Sequence, residues 1–508
     1  MFNTRLMGSG HNYRVVLTVE KMPFPSALCL SFGCEVSSAM RARISYAFRV
    51  FAAIYGYRVV DRGMDGATIS CFYGRKTAES AGQERFHIPA RYIEMHRRNG
   101  HKRFTHYSYA GIKIPLSLGI DPETSRPDWL GELFGWISSS FEQEAKERDS
   151  VGRIPYGEMV FEREGLDPQI PYASLIMAWM ENSLRTGTAR EALPKAPCPV
   201  GDADHLVICS HDLDFFYTRK VSAFTRLAKN LAIGLRDFRS APYIAWNAKR
   251  LLGVARGEQV GAYLPELFDR LEEWGFRSTL FVVGAGEHRR DPNYRLRDLQ
   301  PFLLSAKERG FSVAVHGSYR SCIEEGTLEP EIRALEEATG ARARGNRQHW
   351  LRFGNHHQLF EIVTGSDLQY DSTLGFVETV GFRNGASFAF PPYDFRKERP
   401  YEFLEIPLVI MDGALQSAAL SAKTNPQKIA DRILNNSRER GWGGISLLWH
   451  NPLEPIQVPP AINDVFWNCA GEREKHAERW MSAEEFLACA LPRYQNAGLL
   501  QKVCRHAT

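Results

Sequence analysis

A chain of 508 residues exceeds what one ordinary domain holds, so two or three domains are expected. Its composition, 44% hydrophobic and 24% charged, is that of a globular protein and excludes a disordered one. A formal net charge of +4 is small for this length, and the basic run Arg344 to Arg352 is interrupted by His and Trp, so no nucleic-acid partner is indicated.

The nine cysteines are odd in number and contain no Cys-x-x-Cys pair. That argues against a disulfide framework or a cysteine zinc site, and for a reducing compartment. No apolar stretch reaches the ~18–20 residues that span a bilayer, so no transmembrane segment is expected. Val15 to Leu30 is broken by Glu20, Lys21 and two prolines, which does not read as the apolar part of a cleaved leader. The expected address is the cytoplasm.

In chain order, residues 1–40 show no clear periodicity and read as an N-terminal extension. A helical pattern begins near Arg41, with Ile44, Ala47, Phe48, Phe51 and Ile54 on one face. Strand-like pieces follow at Tyr57–Val60, Thr68–Phe72 and Gly111–Pro115, then helices at Trp129–Glu147 and Tyr172–Leu184. Residues 41–185 therefore read as a smaller α+β domain, and 186–204, with three prolines, as a linker.

From His205 the rhythm changes to alternating strands and helices. Strands are expected at His205–Ser210, Arg277–Val283, Phe311–Val315, Glu405–Ile410 and Gly444–His450. Helices are expected at Tyr263–Trp274, Asp298–Arg309 and Pro330–Thr339, and a basic insertion runs from Lys220 to Arg256. Such alternation implies parallel strands with crossover helices, as an open sheet or a barrel spanning 205–458. Residues 459–508 read as a helical tail.

Several of these strands end in a chemical side chain. The first ends in Ser210-His-Asp-Leu-Asp214, another in His316, the last in His450; Arg347 and His349 follow a helix. Two carboxylates two positions apart at a strand end are costly unless a cation or a proton is shared. Carboxylate plus imidazole suits zinc or another divalent metal, with three protein ligands and one open position. Asp214, His316 and His349 supply that set, leaving Asp212 as a base and His450 as an acid. A single histidine is more often a hydrogen-bonded structural residue than a ligand; recurrence at strand ends is what favours the site. His356 and His357 lack strand context and read as surface residues, and Cys209 and Cys322 as packing residues.

From about His205 to Pro452 the chain resembles the polysaccharide deacetylases of the NodB-homology type, carbohydrate esterase family four. The likeness rests on Ser210-His-Asp-Leu-Asp214, Phe276–Phe281, Val315-His-Gly-Ser-Tyr319, Arg347-Gln-His-Trp350, Tyr370–Phe376, Gly381–Gly385, Leu404–Leu408 and Leu448-Trp-His450. Arg41 to Leu184 resembles a domain that precedes the deacetylase in a branch of polysaccharide-biosynthesis proteins. The resemblance implies a distorted (β/α) barrel that hydrolyses N-acetyl groups of a carbohydrate with a divalent metal, most simply Zn2+. It implies Asp212 as base, Asp214 and His316 as metal ligands, His450 as acid, Arg347 as the residue orienting the base, and a backbone N–H at Trp350 as oxyanion donor. Contact with polysaccharide-biosynthesis proteins is implied too. Where the family has a second histidine, four places after the first, this chain has Arg320, and His349 is the expected replacement. Asp371 and Arg383 either tune His450 or bind sugar hydroxyls, or else serve as a turn carboxylate and a loop-closing salt bridge. Two alternatives stand: a catalytically inert glycan-binding or scaffold relative, and a glycosyltransferase using the DxD pair, which leaves His316 and His450 unexplained.

Overall fold

The computed structural model describes residues 27–60, 68–75, 86–92, 104–109, 112–143, 145–186, 194–214, 263–292, 294–453 and 458–501, with short pieces at 6–7, 14–15, 224–225, 227–228, 231–232 and 241–256. Parts of the expected N-terminal extension, linker and basic insertion lie outside the described residues.

Apolar runs, together with the polar strand Gly345–Gln348 and two short pieces, form one all-parallel sheet. Its order is Leu404–Glu405, Tyr370–Asp371, Gly345–Gln348, Ser312–Gly317, Thr279–Val282, His205–Asp212, Gly443–Leu448 and Leu408–Met411. The first and last pieces belong to one stretch of chain, where a single strand was expected; Pro407, lacking an N–H for the ladder, stands between them. A parallel bridge ties Leu408, on the last strand, to Gly375, four residues past the strand Tyr370–Asp371 that neighbours the opposite edge. The sheet thus curls back on itself as a distorted (β/α) barrel.

Parallel neighbours require crossovers, and helices such as Leu264–Glu273, Leu296–Glu308 and Leu328–Thr339 provide them. Leu264, Leu267, Phe268 and Leu271 bury one face of the first, the spacing of a single helical stripe. Each such side chain, fully buried, stabilises the fold by roughly 1.5–3 kcal/mol. The barrel interior is tight: a Cβ at Gly345 would lie 1.9 Å from the Tyr370 ring, so only glycine fits there. Because the strands are parallel, their carboxyl ends share one face of the barrel. The register pairs His316 with Arg347 and Phe281 with Asp212, which brings the chemical residues together.

The N-terminal region has its own sheet, with Ala27–Phe32 between Arg58–Val59 and Thr68–Tyr73, and Phe86–Ile88 at the edge. The helix Ser38–Tyr55 starts at a Ser37 cap and stops at Gly56, whose φ of 77° suits glycine. The helix expected over Trp129–Glu147 ends at Ile137, where the Ser138 hydroxyl donates back to Phe134 O and Ser139 turns left-handed. That turn frees Glu142 to reach the barrel. The C-terminal segment is not a purely helical tail. Between helices Pro460–Glu472 and Ala483–Asn496, the strand Glu478–Met481 pairs in parallel with His205–Ile208.

Candidate metal and catalytic centre

Side chains on a strand alternate between faces. In His205–Asp212 this sends Ser210 and Asp212 toward Arg347, while His211 turns away and bonds Trp449 O at 2.6 Å. Arg347 is fully buried, and its guanidinium is committed on every side. It donates to Asp212 Oδ1 at 2.8 Å, Ser210 Oγ at 2.9 Å, Ser372 O at 3.0 Å, Ser372 Oγ at 3.0 Å and Ser446 Oγ at 2.9 Å. Asp212 is held in place by this cation with its second oxygen, Oδ2, 3.7 Å from His316 Nε2.

Two residues on, Asp214 is the hub. Its Oδ1 lies 3.3 Å from His316 Nε2 and 3.5 Å from His349 Nε2, and its Oδ2 lies 3.5 Å from His450 Nε2. His316 Nδ1 donates to Arg347 O at 2.8 Å, which leaves a lone pair on Nε2 aimed at a carboxylate. Two electron-rich atoms so placed need a cation or a proton between them. Asp214 Oδ1 is buried without a hydrogen-bond partner. Ligands about 2.1 Å from a tetrahedral metal sit about 3.4 Å from each other. The separations of 3.3 and 3.5 Å match that edge, so Asp214, His316 and His349 fit a divalent metal.

Burial alone would raise the Asp214 carboxyl, but His349, His316 and His450 around it overcome this and hold it well below the usual range. Burial disfavours a charged His349, yet Asp214 and Asp291 push it up to about 9. His450 follows the same logic: burial opposes its charge, while Asp412 and Asp214 raise it well above the ordinary value.

Asp412, which the strand pattern had not singled out, accepts from His450 Nδ1 at 2.9 Å and from its backbone N–H at 3.0 Å. The pair fixes the ring so that Nε2 faces the centre. A carboxylate just past the apolar run Leu408–Met411 was the available signal, the same one that marked Asp212. Asp291 is a second omission: its Oδ1 stands 3.5 Å from His349 Nδ1, on the side away from Asp214. No periodicity marks it.

Of the two readings for Arg383, the salt bridge is the one seen: it is buried and pairs with Glu142 at 2.7 and 3.0 Å. Asp371 is likewise buried, accepting from Asn346 Nδ2 at 2.6 Å and Thr373 N at 2.9 Å; burial raises its carboxyl, as it does that of neighbouring Glu405. His356 is not at the surface but buried, its Nε2 3.2 Å from Glu142. Arg320 points outward, with more than half its side chain exposed, 3.9 Å from Glu324. Trp350 is half exposed beside His349, and its indole N–H donates to Arg290 O at 3.2 Å.

The chain is similar to solved polysaccharide-deacetylase structures. A Mycobacterium smegmatis protein assigned as a polysaccharide deacetylase matches at 15% identity and TM-score 0.35, over 58% of this chain and 94% of its own. The peptidoglycan deacetylase of Bacillus subtilis matches at 10% identity and TM-score 0.29, over 58% and 95%. A family-four pseudoenzyme of Bacillus anthracis also matches at 10% and 0.29, over 56% and 65%. No family model matches the chain. No curated protein matches it either. Among the described residues, no helix is long and apolar enough to cross a membrane.

Proposed function

We propose that this protein is a metal-dependent carbohydrate N-deacetylase. The observation that carries the reading is the Asp214 cluster: a buried, unpartnered carboxylate oxygen facing the Nε2 atoms of His316 and His349 at metal-ligand spacing. Asp214, His316 and His349 would hold the cation, with zinc the best match to this donor set. A divalent ion there supplies Lewis-acid polarisation of an acetyl carbonyl and acidifies water.

The chain's own residues do the rest. Asp212, pinned by Arg347 at 2.8 Å, is the base that accepts a proton from attacking water. His450 carries its proton on Nε2, held charged by Asp412, and gives it to the departing amine nitrogen, which leaves poorly as an anion. The left-handed turn at Trp350 offers a backbone N–H to the developing oxyanion, an interaction typically worth about 3–4 kcal/mol. The exposed Trp350 ring beside the centre suits the apolar face of a sugar. A reducing compartment and a role on a polysaccharide precursor complete the proposal.

The test is acetate release from a panel of N-acetylated sugars, with metal analysis on the same sample. Acetate release that tracks zinc content supports the reading. Stoichiometric zinc with no acetate from any sugar, polymer or nucleotide-linked precursor contradicts it.

A further inference from the structure

We infer that the N-terminal region completes the metal centre, its loop Asp149–Arg153 clamping the turn that carries His349. The inference rests on the reading of His349 as a ligand. His316 lies within its strand, and Asp214 and His349 follow theirs by two residues and one. What sets His349 apart is the turn it opens, with Trp350 at φ 67° and Leu351 at φ 49°. Residues with a Cβ rarely adopt that conformation, and such a turn persists only when its surroundings impose it.

Barrel contacts, Trp350 Nε1 to Arg290 O at 3.2 Å and Arg352 Nη1 to Cys322 Sγ at 3.2 Å, hold one side of the turn, and the N-terminal region holds the other. Arg153 Nη1 donates to Trp350 O at 3.0 Å, Arg352 Nε donates to Val151 O at 2.6 Å, and Arg148 Nε and Nη2 both donate to Gly354 O at 3.3 Å. The clamp is itself rigid. Asp149 Oδ1 accepts from Val151 N and Arg153 N at 2.9 Å each, and Asp149 Oδ2 accepts from Arg153 Nε at 2.7 Å, aiming the guanidinium at the turn. On the opposite side of the imidazole, Asp291 faces Nδ1. His349 therefore has a barrel carboxylate facing its ring and an N-terminal arginine on the carbonyl of the next residue, which makes Arg153 a positioning residue for the site.

The test uses the full chain loaded with Co2+, whose visible absorption reports ligand number and geometry, together with Zn2+ affinity by chelator competition and thermal unfolding. His349→Ala sets the reference lesion. Arg153→Ala is expected to weaken Zn2+ about 10–100-fold, the range seen for outer groups that orient a ligand, and to shift the Co2+ band toward that of His349→Ala. Arg153→Lys should recover part of both, and Asp149→Asn, which only releases the arginine, should weaken Zn2+ less. Arg432→Ala removes a different contact between the two regions, the pair with Asp167 at 2.5 Å, and should leave metal binding unchanged. If His349→Ala binds Zn2+ like the parent, the ligand reading itself fails. If His349→Ala is impaired while Arg153→Ala and Asp149→Asn bind like the parent, the ligand reading stands and the clamp is wrong.

Discussion

The strand His205–Asp212 begins and ends in buried polar clusters, and the two behave differently. At its start, His205 uses both ring nitrogens: Nδ1 pairs with Glu478 Oε1 and Nε2 with Ser437 Oγ, each at 2.7 Å. Glu478 is closed in turn by Arg438 at 2.9 and 3.0 Å. Burial would raise the Glu478 carboxyl, but His205 and Arg438 bring it down to about 2. Just beyond the other end of the strand, Asp214 Oδ1 has no partner, and His316 and His349 turn nitrogens toward it. A closed cluster stores stability, whereas an open one stores the capacity to bind. The same residue types serve both ends, so saturation rather than composition separates structure from chemistry.

The sharpest way to separate the ends is to cut each one. Asp214→Ala should abolish stoichiometric metal, measured by elemental analysis, and activity with it, while the chain remains folded by circular dichroism. Retention of metal would break the distinction. Asp212→Asn should keep the metal and lower the rate of acetate release about 10²–10⁴-fold, since only the base is lost; a normal rate removes Asp212 from that role.

A third cut lies at the seam between the two regions. Glu142→Gln leaves Arg383 buried with half its partner gone, which should cost about 3–5 kcal/mol in urea unfolding. The pH dependence has a definite sign. Burial would raise Glu142, but Arg383 and His356 outweigh it and hold the carboxyl far below the ordinary glutamate value of about 4.3. Its stabilisation is present above that value. As pH falls through it, the unfolded chain takes up a proton that the folded chain refuses, and stability drops until the native carboxylate is protonated. Glu142→Gln should flatten that acid limb; an unchanged limb means Glu142 does not supply it. The smallest effect is expected at the closed end of the strand. His205→Ala should cost about 1–3 kcal/mol by stripping partners from Ser437 and Glu478, and leave metal content as it was.

Much of the barrel was legible because strands such as Thr279–Val282, Ser312–Gly317 and Gly443–Leu448 carry apolar runs and its helices one apolar stripe, whereas Gly345–Gln348 and Tyr370–Asp371, polar or only two residues long, were not read as strands. The strand-end carboxylates and histidines were legible for the same reason, since the run itself says where the strand stops. What was not legible depends on distant pairing. Arg383 stayed open between a sugar contact and a salt bridge because its partner, Glu142, lies 241 positions away in a turn where a helix was expected. His356 lacked a strand but gained burial from that same carboxylate. The strand Glu478–Met481 hid because four residues with two charges do not read as β without the neighbour they pair with. Asp291 sits in an aperiodic loop, where only the position of His349 gives it meaning.

The central claim is that Asp214, His316 and His349 converge on one metal ion. Diffraction from zinc-soaked crystals, recorded on either side of the zinc absorption edge, tests it most directly. A single strong anomalous peak is expected about 2.0–2.2 Å from Asp214 Oδ1, His316 Nε2 and His349 Nε2. A peak bound by Asp214 and His316 with His349 remote, or no peak at this face of the barrel, contradicts it.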